Sequence, residues 1–89
     1  MACWWEELVP HLTRGALLMA QPQLDFLDVA HAIAADERKR VEAWLGNGQL
    51  KRAGEPDKAL YEADKQLRFQ FVVVQPWVLA QLLVRAEGA

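Results

Sequence analysis

Serine is absent from the 89 residues, cysteine occurs once, and glycine and proline number only five and four. The missing serine removes the commonest hydroxyl nucleophile, and the one thiol, Cys3, stands at a terminus with no base beside it in sequence. A single cysteine also closes no internal disulfide, which points to a reducing cytoplasm. Long hydrophobic runs are lacking as well. The longest, Val72 to Val84, is broken by Gln75, Pro76 and Gln81 and falls short of the roughly 20 residues that a bilayer-crossing helix needs. Met1 to Glu7 has neither the positive n-region nor the long apolar h-region of a secretory signal. The expectation is a cytoplasmic protein with no membrane partner.

What is present is a folding composition: 53% hydrophobic and 25% charged residues, too apolar for disorder. At about 100 to 200 residues per domain, residues 1–89 form one domain. A chain of this size buries only about 60% of its unfolded surface and is marginally stable. Ten Lys and Arg against twelve Asp and Glu give a net charge of -2 and an isoelectric point near 5.6, which is not the electrostatic footprint of a strong duplex binder.

Periodicity and punctuation lay out the elements. Trp5, Leu8, Val9 and Leu12 recur at helical spacing, Glu6 and Glu7 suit a first turn, and Gly15 is a stop. Pro10 is discordant unless it lies in the opening turn or kinks the helix. Ala16 to Met19 is a brief strand before Gln21-Pro22. Asp25 or Asp28 caps a second helix carrying Val29, Ala30, Ile33 and Ala34. Asp36 interrupts it and suits the N-cap of a third, whose Val41, Trp44 and Leu45 are expected to point inward against Val29, Ile33 and a later strand before Gly46-Asn47-Gly48 ends it. Gln49 to Ala53 reads as strand, and Pro56 opens a fourth helix with Leu60, Ala63 and Leu67 inward. Phe69 to Val74 is the clearest strand. Trp77 to Val84 reads as another, although Leu79, Leu82, Leu83 and Ala86 also suit a helix.

This order predicts an α+β fold with winged-helix-like topology: three to four short helices and a small, mostly antiparallel sheet. Trp5-Glu6-Glu7-Leu8, Arg14-Gly15, Leu24-Asp25 through Val29-Ala30, Asp36, Val41, Trp44-Leu45, Gly48 and above all Val72 to Gln81, spelled Val-Val-Val-x-Pro-Trp-Val-Leu-x-Gln, resemble a family of small bacterial proteins known only as a domain of unknown function. The resemblance covers most of the chain. It implies a bacterial cytoplasmic protein and carries over no activity, cofactor or catalytic residue; the chain starts closer to its first helix than the family leads one to expect, so an N-terminal extension is expected to be missing.

Charge offers one nucleic-acid candidate: Arg38, Lys39 and Arg40 opening the third helix, with Lys51 and Arg52 on the next strand, places that lie beside the groove in a winged helix. Asp36, Glu37 and Glu42 are interleaved with them, so an ordinary solvated face is the stronger reading. Asp28 and His31, with Asp25 before them, could meet on one helix face. The remaining ligands, His11 and Cys3, are too few and too scattered for a closed metal site, so no metal or other cofactor is expected. Thr13 has only His11 nearby, and Gly46-Asn47-Gly48 follows a helix instead of opening one, which argues against a phosphate cradle and against an enzyme.

Trp5, Trp44 and Trp77 stand at apolar positions and read as core anchors. Trp4 and Trp5 cannot both face one core, so one of them is left for a partner. The strand Phe69 to Val74 is apolar on both faces and hard to cover within one chain, which predicts self-association through Val72 and Val74. Trp4, Val72, Val74 and Trp77 are therefore the candidate protein interface. The leading expectation is a protein-interaction module, possible homodimers included. A weak nucleic-acid binder is second and a metal-dependent enzyme a distant third.

Overall fold

The computed structural model describes residues 2–64 and 66–85. Nine elements follow one another: β1 (Ala2–Trp4), α1 (Trp5–Thr13), β2 (Leu17–Ala20), α2 (Phe26–Ala34), α3 (Arg38–Gly46), β3 (Leu50–Arg52), α4 (Glu55–Glu62), β4 (Leu67–Val74) and β5 (Trp77–Arg85). The strands form one open sheet of order β1-β4-β5-β2-β3, antiparallel at every junction except β2 with β5. This is an α+β fold. The expected order of helix, strand, helix, corner, helix and strand runs from α1 to β3. The sheet is then completed by β1 at one edge, by α4 interposed before β4, and by the parallel β2 and β5 pair.

Strand alternation sends side chains to two cores, one on each face of the sheet. On one face Trp5, Leu8 and Leu12 of α1 meet Leu17, Met19, Phe69, Val78 and Ala80, with Tyr61 of α4 against them. The rings of Trp5, Tyr61 and Phe69 lie 5.0 to 5.6 Å apart in tilted and edge-to-face arrangements, the geometry their quadrupoles favour. On the other face Phe26, Val29 and Ala30 of α2 cover Leu18, Leu50 and Leu79, with Val41 and Trp44 of α3 at the margin.

Three helices end in the same device. After α1, Gly15 has φ 72, its N–H donates to Leu12 at 2.9 Å and that of Ala16 to His11 at 3.0 Å. After α3, Gly48 (φ 81) and Gln49 repeat the pattern on Leu45 and Trp44. After α2 the left-handed residue is Asp36, φ 56, with Asp36 N–H on Ile33 and Glu37 N–H on Ala32. Each is a Schellman motif. Asp36 thus closes α2. It does not cap α3, whose N-cap position is Glu37, with no capping bond from its side chain.

Two expected helix faces are corrected. Helix α3 buries none of its residues: Val41 and Trp44 are half-buried, and Leu45 is 45% exposed. The reason is position, because α3 lies over the end of the sheet at β3, where there is too little sheet to cover it. In α4, Leu60 is 64% exposed and Leu67 belongs to β4. Its inward residues are Asp57 and Tyr61, one turn apart. Ala86 lies outside the described residues.

The strand expected to self-associate is partly covered within the chain. β5 pairs with β4 from Leu67 to Val74, and β1 lies on the other edge at Arg68 to Gln70. β1 thus meets the second edge of β4 over three residues only, and α1 and α2 pack over its two faces. The pairing with β1 does not extend to Val72 and Val74, the residues expected to self-associate. Among the described residues, no helix is long and apolar enough to cross a membrane.

Candidate functional site

The five cations of the nucleic-acid reading do not share one surface. Lys51 and Arg52 are consecutive in β3, so alternation sends them to opposite faces. The Lys51 ammonium reaches Asp57 of α4 at 2.6 Å, on the α1 and α4 side. Arg52 goes to the other face, its guanidinium carbon 5.1 Å from the centre of the Trp77 ring. Arg40 is engaged by Asp28 and by Glu37 at 3.4 Å, and it also lies 5.0 Å from the Trp44 ring centre. The hydrogen bond with Asp28, followed by that with Glu37, raises its pKa further. Arg38 has Asp36 at 3.8 Å, both well exposed, and Lys39 is exposed.

Asp28 therefore faces Arg40 and not His31, which is exposed on α2. His11, on α1 across the sheet, accepts from Arg14 Nη2 at 2.6 Å when its Nδ1 is unprotonated. Among the described residues no group of three or more His, Cys, Asp or Glu is placed to share a metal ion. Asp25 caps α2, accepting from the Asp28 N–H at 3.1 Å. Cys3 is buried in the first core, and burial, then the charge of Glu7, pushes its thiol up to about 11. Such a thiol is inert at neutral pH.

Of the interface candidates, three come together. Val72, Val74 and Trp77 all lie on the α2 and α3 face, packed at the margin of the second core. Trp4 is elsewhere: it pairs with Arg68 at the far end of β4, is 42% exposed, and has the Arg68 guanidinium carbon 5.1 Å from its ring centre. Trp5, its neighbour, is the buried one.

The surface around Trp77 is concave. A hollow of about 390 Å³ opens between α3 and the turn Gln75-Pro76, with Ile33, Val41 and Trp77 on its walls and Asp36, Arg38 and Glu42 at its edge. A second hollow of about 270 Å³ shares those three wall residues and adds Leu18, Leu45 and Arg52. The two form one groove, with Arg52 the only charged residue of the smaller part among the described residues. The Gln75-Pro76 peptide at the turn is cis. Sequence reasoning had grouped Arg52 with Lys51 as a phosphate-binding pair, and Leu45 with the core. The period of two along a strand was the signal that separates Arg52 from Lys51.

These features define a small α+β protein with helices on both faces of a mostly antiparallel sheet and one apolar groove beside α3. Residues 2–82 match the family described as proteins of unknown function, DUF2288, and the chain belongs to it, as the resemblance implied at family level. Among solved structures it is similar to PA1075 from Pseudomonas aeruginosa, determined in solution by NMR. That protein is 36% identical, with a TM-score of 0.85 over 99% of this chain and 81% of the other. No curated protein matches the chain.

Proposed function

We propose that this protein is a protein-interaction module that docks a segment of a partner in the groove around Trp77. The observation that supports the reading is the meeting of Leu45, Val41, Ile33 and Trp77 around two joined hollows. Apolar side chains that flank a concavity on rigid elements gain from burial by a partner what they do not gain within the chain. An enzyme reading has no comparable support, because among the described residues that line the hollow no base is paired with a nucleophile. The nucleic-acid reading is weakened by the split of Lys51 from Arg52 and by the carboxylates that hold Arg38, Arg40 and Lys51; what remains suits only weak, salt-sensitive contact.

The test is selection of random peptides displayed on phage against the protein, followed by calorimetry with the selected sequences. Peptides should be enriched and should lose binding to Leu45→Asp, a change at a half-exposed position that leaves the fold intact by circular dichroism. No enrichment, or equal binding to Leu45→Asp, defeats the proposal. Sedimentation of the free protein identifies a second copy as the occupant if dimers form and Leu45→Asp abolishes them.

A further inference from the structure

Resting on the groove as a peptide site, we infer that the docked segment carries a carboxylate beside its apolar anchor and that Arg52 receives it. The smaller hollow is walled by Leu18, Ile33, Val41, Leu45 and Trp77, and among the described residues its one charged group is Arg52. An occupant must therefore present apolar surface to five residues and offer the sixth an anion. Arg38, Arg40 and Lys51 each have a carboxylate within 4.0 Å, whereas among the described residues Arg52 has none. Its neighbour is the Trp77 ring, at 5.1 Å. A ring attracts the cation but uses few of the five N–H donors of a guanidinium, and contact with it limits the freedom of a long side chain. The result is a donor fork placed in advance at the wall of an apolar hollow, the arrangement that recognises a carboxylate in two-point fashion.

The acid belongs at the Arg52 end alone. Around the larger hollow, Asp36 and Glu42 outnumber Arg38, so a second acid there would meet repulsion. The occupant this describes is a short polypeptide segment with a Leu-like or aromatic anchor seated between Val41, Leu45 and Trp77, and an Asp or Glu next to it on the Arg52 side. A phosphate-bearing chain fits poorly, because one guanidinium beside an apolar wall cannot balance a dianion.

The test extends the peptide selection on the full chain. Selected peptides should share an acid within two residues of an apolar anchor. For such a peptide, made synthetically, Arg52→Gln should weaken binding about tenfold or more, the size of one charge-assisted bond. Arg52→Lys should recover only part of the loss, since it restores charge without the fork. Replacing the peptide's acid by its amide should cost the wild type as much and the Arg52→Gln protein nothing further. Peptides that need Leu45 but are neutral or basic, or that bind Arg52→Gln unchanged, overturn the carboxylate while leaving the groove a docking site. If no peptide is selected, the docking site and the carboxylate fall together.

Discussion

The side chain of Gln81, in β5, is tied to that of Gln70, opposite it in β4, by an amide hydrogen bond of 2.6 Å in which Gln70 Nε2 donates to Gln81 Oε1. Gln81 is only 4% exposed, and its own amide donates at 2.8 Å to the carbonyls of Gln21 and of Leu24. One buried glutamine thus uses its carbonyl on the neighbouring strand and both N–H donors on the loop that leads into α2. It fastens the β2 to α2 connection to the sheet, and with it the start of the helix that supports the groove.

That arrangement predicts asymmetric costs. Gln81→Leu removes the partner of the Leu24 carbonyl and of the Gln70 amide, whereas the Gln21 carbonyl keeps the Leu24 N–H at 3.0 Å, and should destabilise by about 2 to 4 kcal/mol, one buried unsatisfied group being worth about 1 to 3. Gln70→Leu leaves one lone-pair site open and should cost about 1 kcal/mol. Urea denaturation at neutral pH measures both. Equal costs would mean that the loop carbonyls find water as readily as they find Gln81.

The second prediction concerns Asp36. Its φ of 56 is a conformation that a side chain makes unfavourable and that glycine adopts freely. Asp36→Gly should raise stability by about 0.5 to 1 kcal/mol, since the lost pair with Arg38 is exposed on both sides and contributes little. At Gly48 the same logic reverses: an added Cβ meets no atom within 4 Å, so Gly48→Ala should lose about 1 kcal/mol through backbone conformation alone. Thermal melts showing Asp36→Gly below the wild type would remove the Schellman reading of the α2 end.

The third prediction separates two tryptophans that look alike in sequence. Trp5 is buried between Tyr61 and Phe69, so Trp5→Ala should cost about 3 to 5 kcal/mol, enough to unfold much of a small domain. Trp44 is half-buried at the margin of the second core, and Trp44→Ala should cost about 2 kcal/mol and leave a folded protein. If the two variants unfold at the same urea concentration, α3 is more deeply packed than described.

How much of this was legible follows from which physics was local. β4 and β5 were readable because Phe69 to Val74 and the segment from Trp77 carry β-branched and aromatic residues in a run. The stops at Gly15 and Gly48 were readable because glycine advertises a left-handed residue. Asp36 did the same work with a residue that statistics assign to N-caps, and only the backbone reveals it. The inward face of α4 was hidden because its deepest contact is a carboxylate: Asp57, buried, accepts from the Gly54 N–H at 2.9 Å and pairs with Lys51, whereas the apolar Leu60 points to water. In the groove, Trp77 was visible as an apolar anchor. The partnership of Trp77 with Arg52 was not, since it joins residues 25 positions apart that only the order β5-β2-β3 brings near.

The last prediction is an alkaline limb to stability. Burial, reinforced by the charge of Glu7 and opposed by Arg68, lifts the Cys3 thiol from its ordinary 9.0 to about 11 in the folded chain. Below pH 9 the thiol is protonated in both states, and the stability linked to it is fully present. Above pH 9 the unfolded chain releases its proton first, so stability falls as pH rises through the window from 9 to about 11 and then levels off. Tyr61, raised mainly by burial and then by the charge of Asp57, acts in the same direction, because its phenolate is also favoured by unfolding. Urea midpoints followed from pH 7 to pH 11 should decline above pH 9, and the decline should be shallower in Cys3→Ala and shallower again when Tyr61→Phe is added. The thiol should also react slowly with iodoacetamide at pH 8 in the folded protein and rapidly in denaturant, since only the thiolate attacks and the native site disfavours it. A Cys3→Ala protein whose alkaline limb matches the wild type would show that β1 opens before the thiol titrates. Rapid alkylation of the native chain at pH 8 would carry the same meaning.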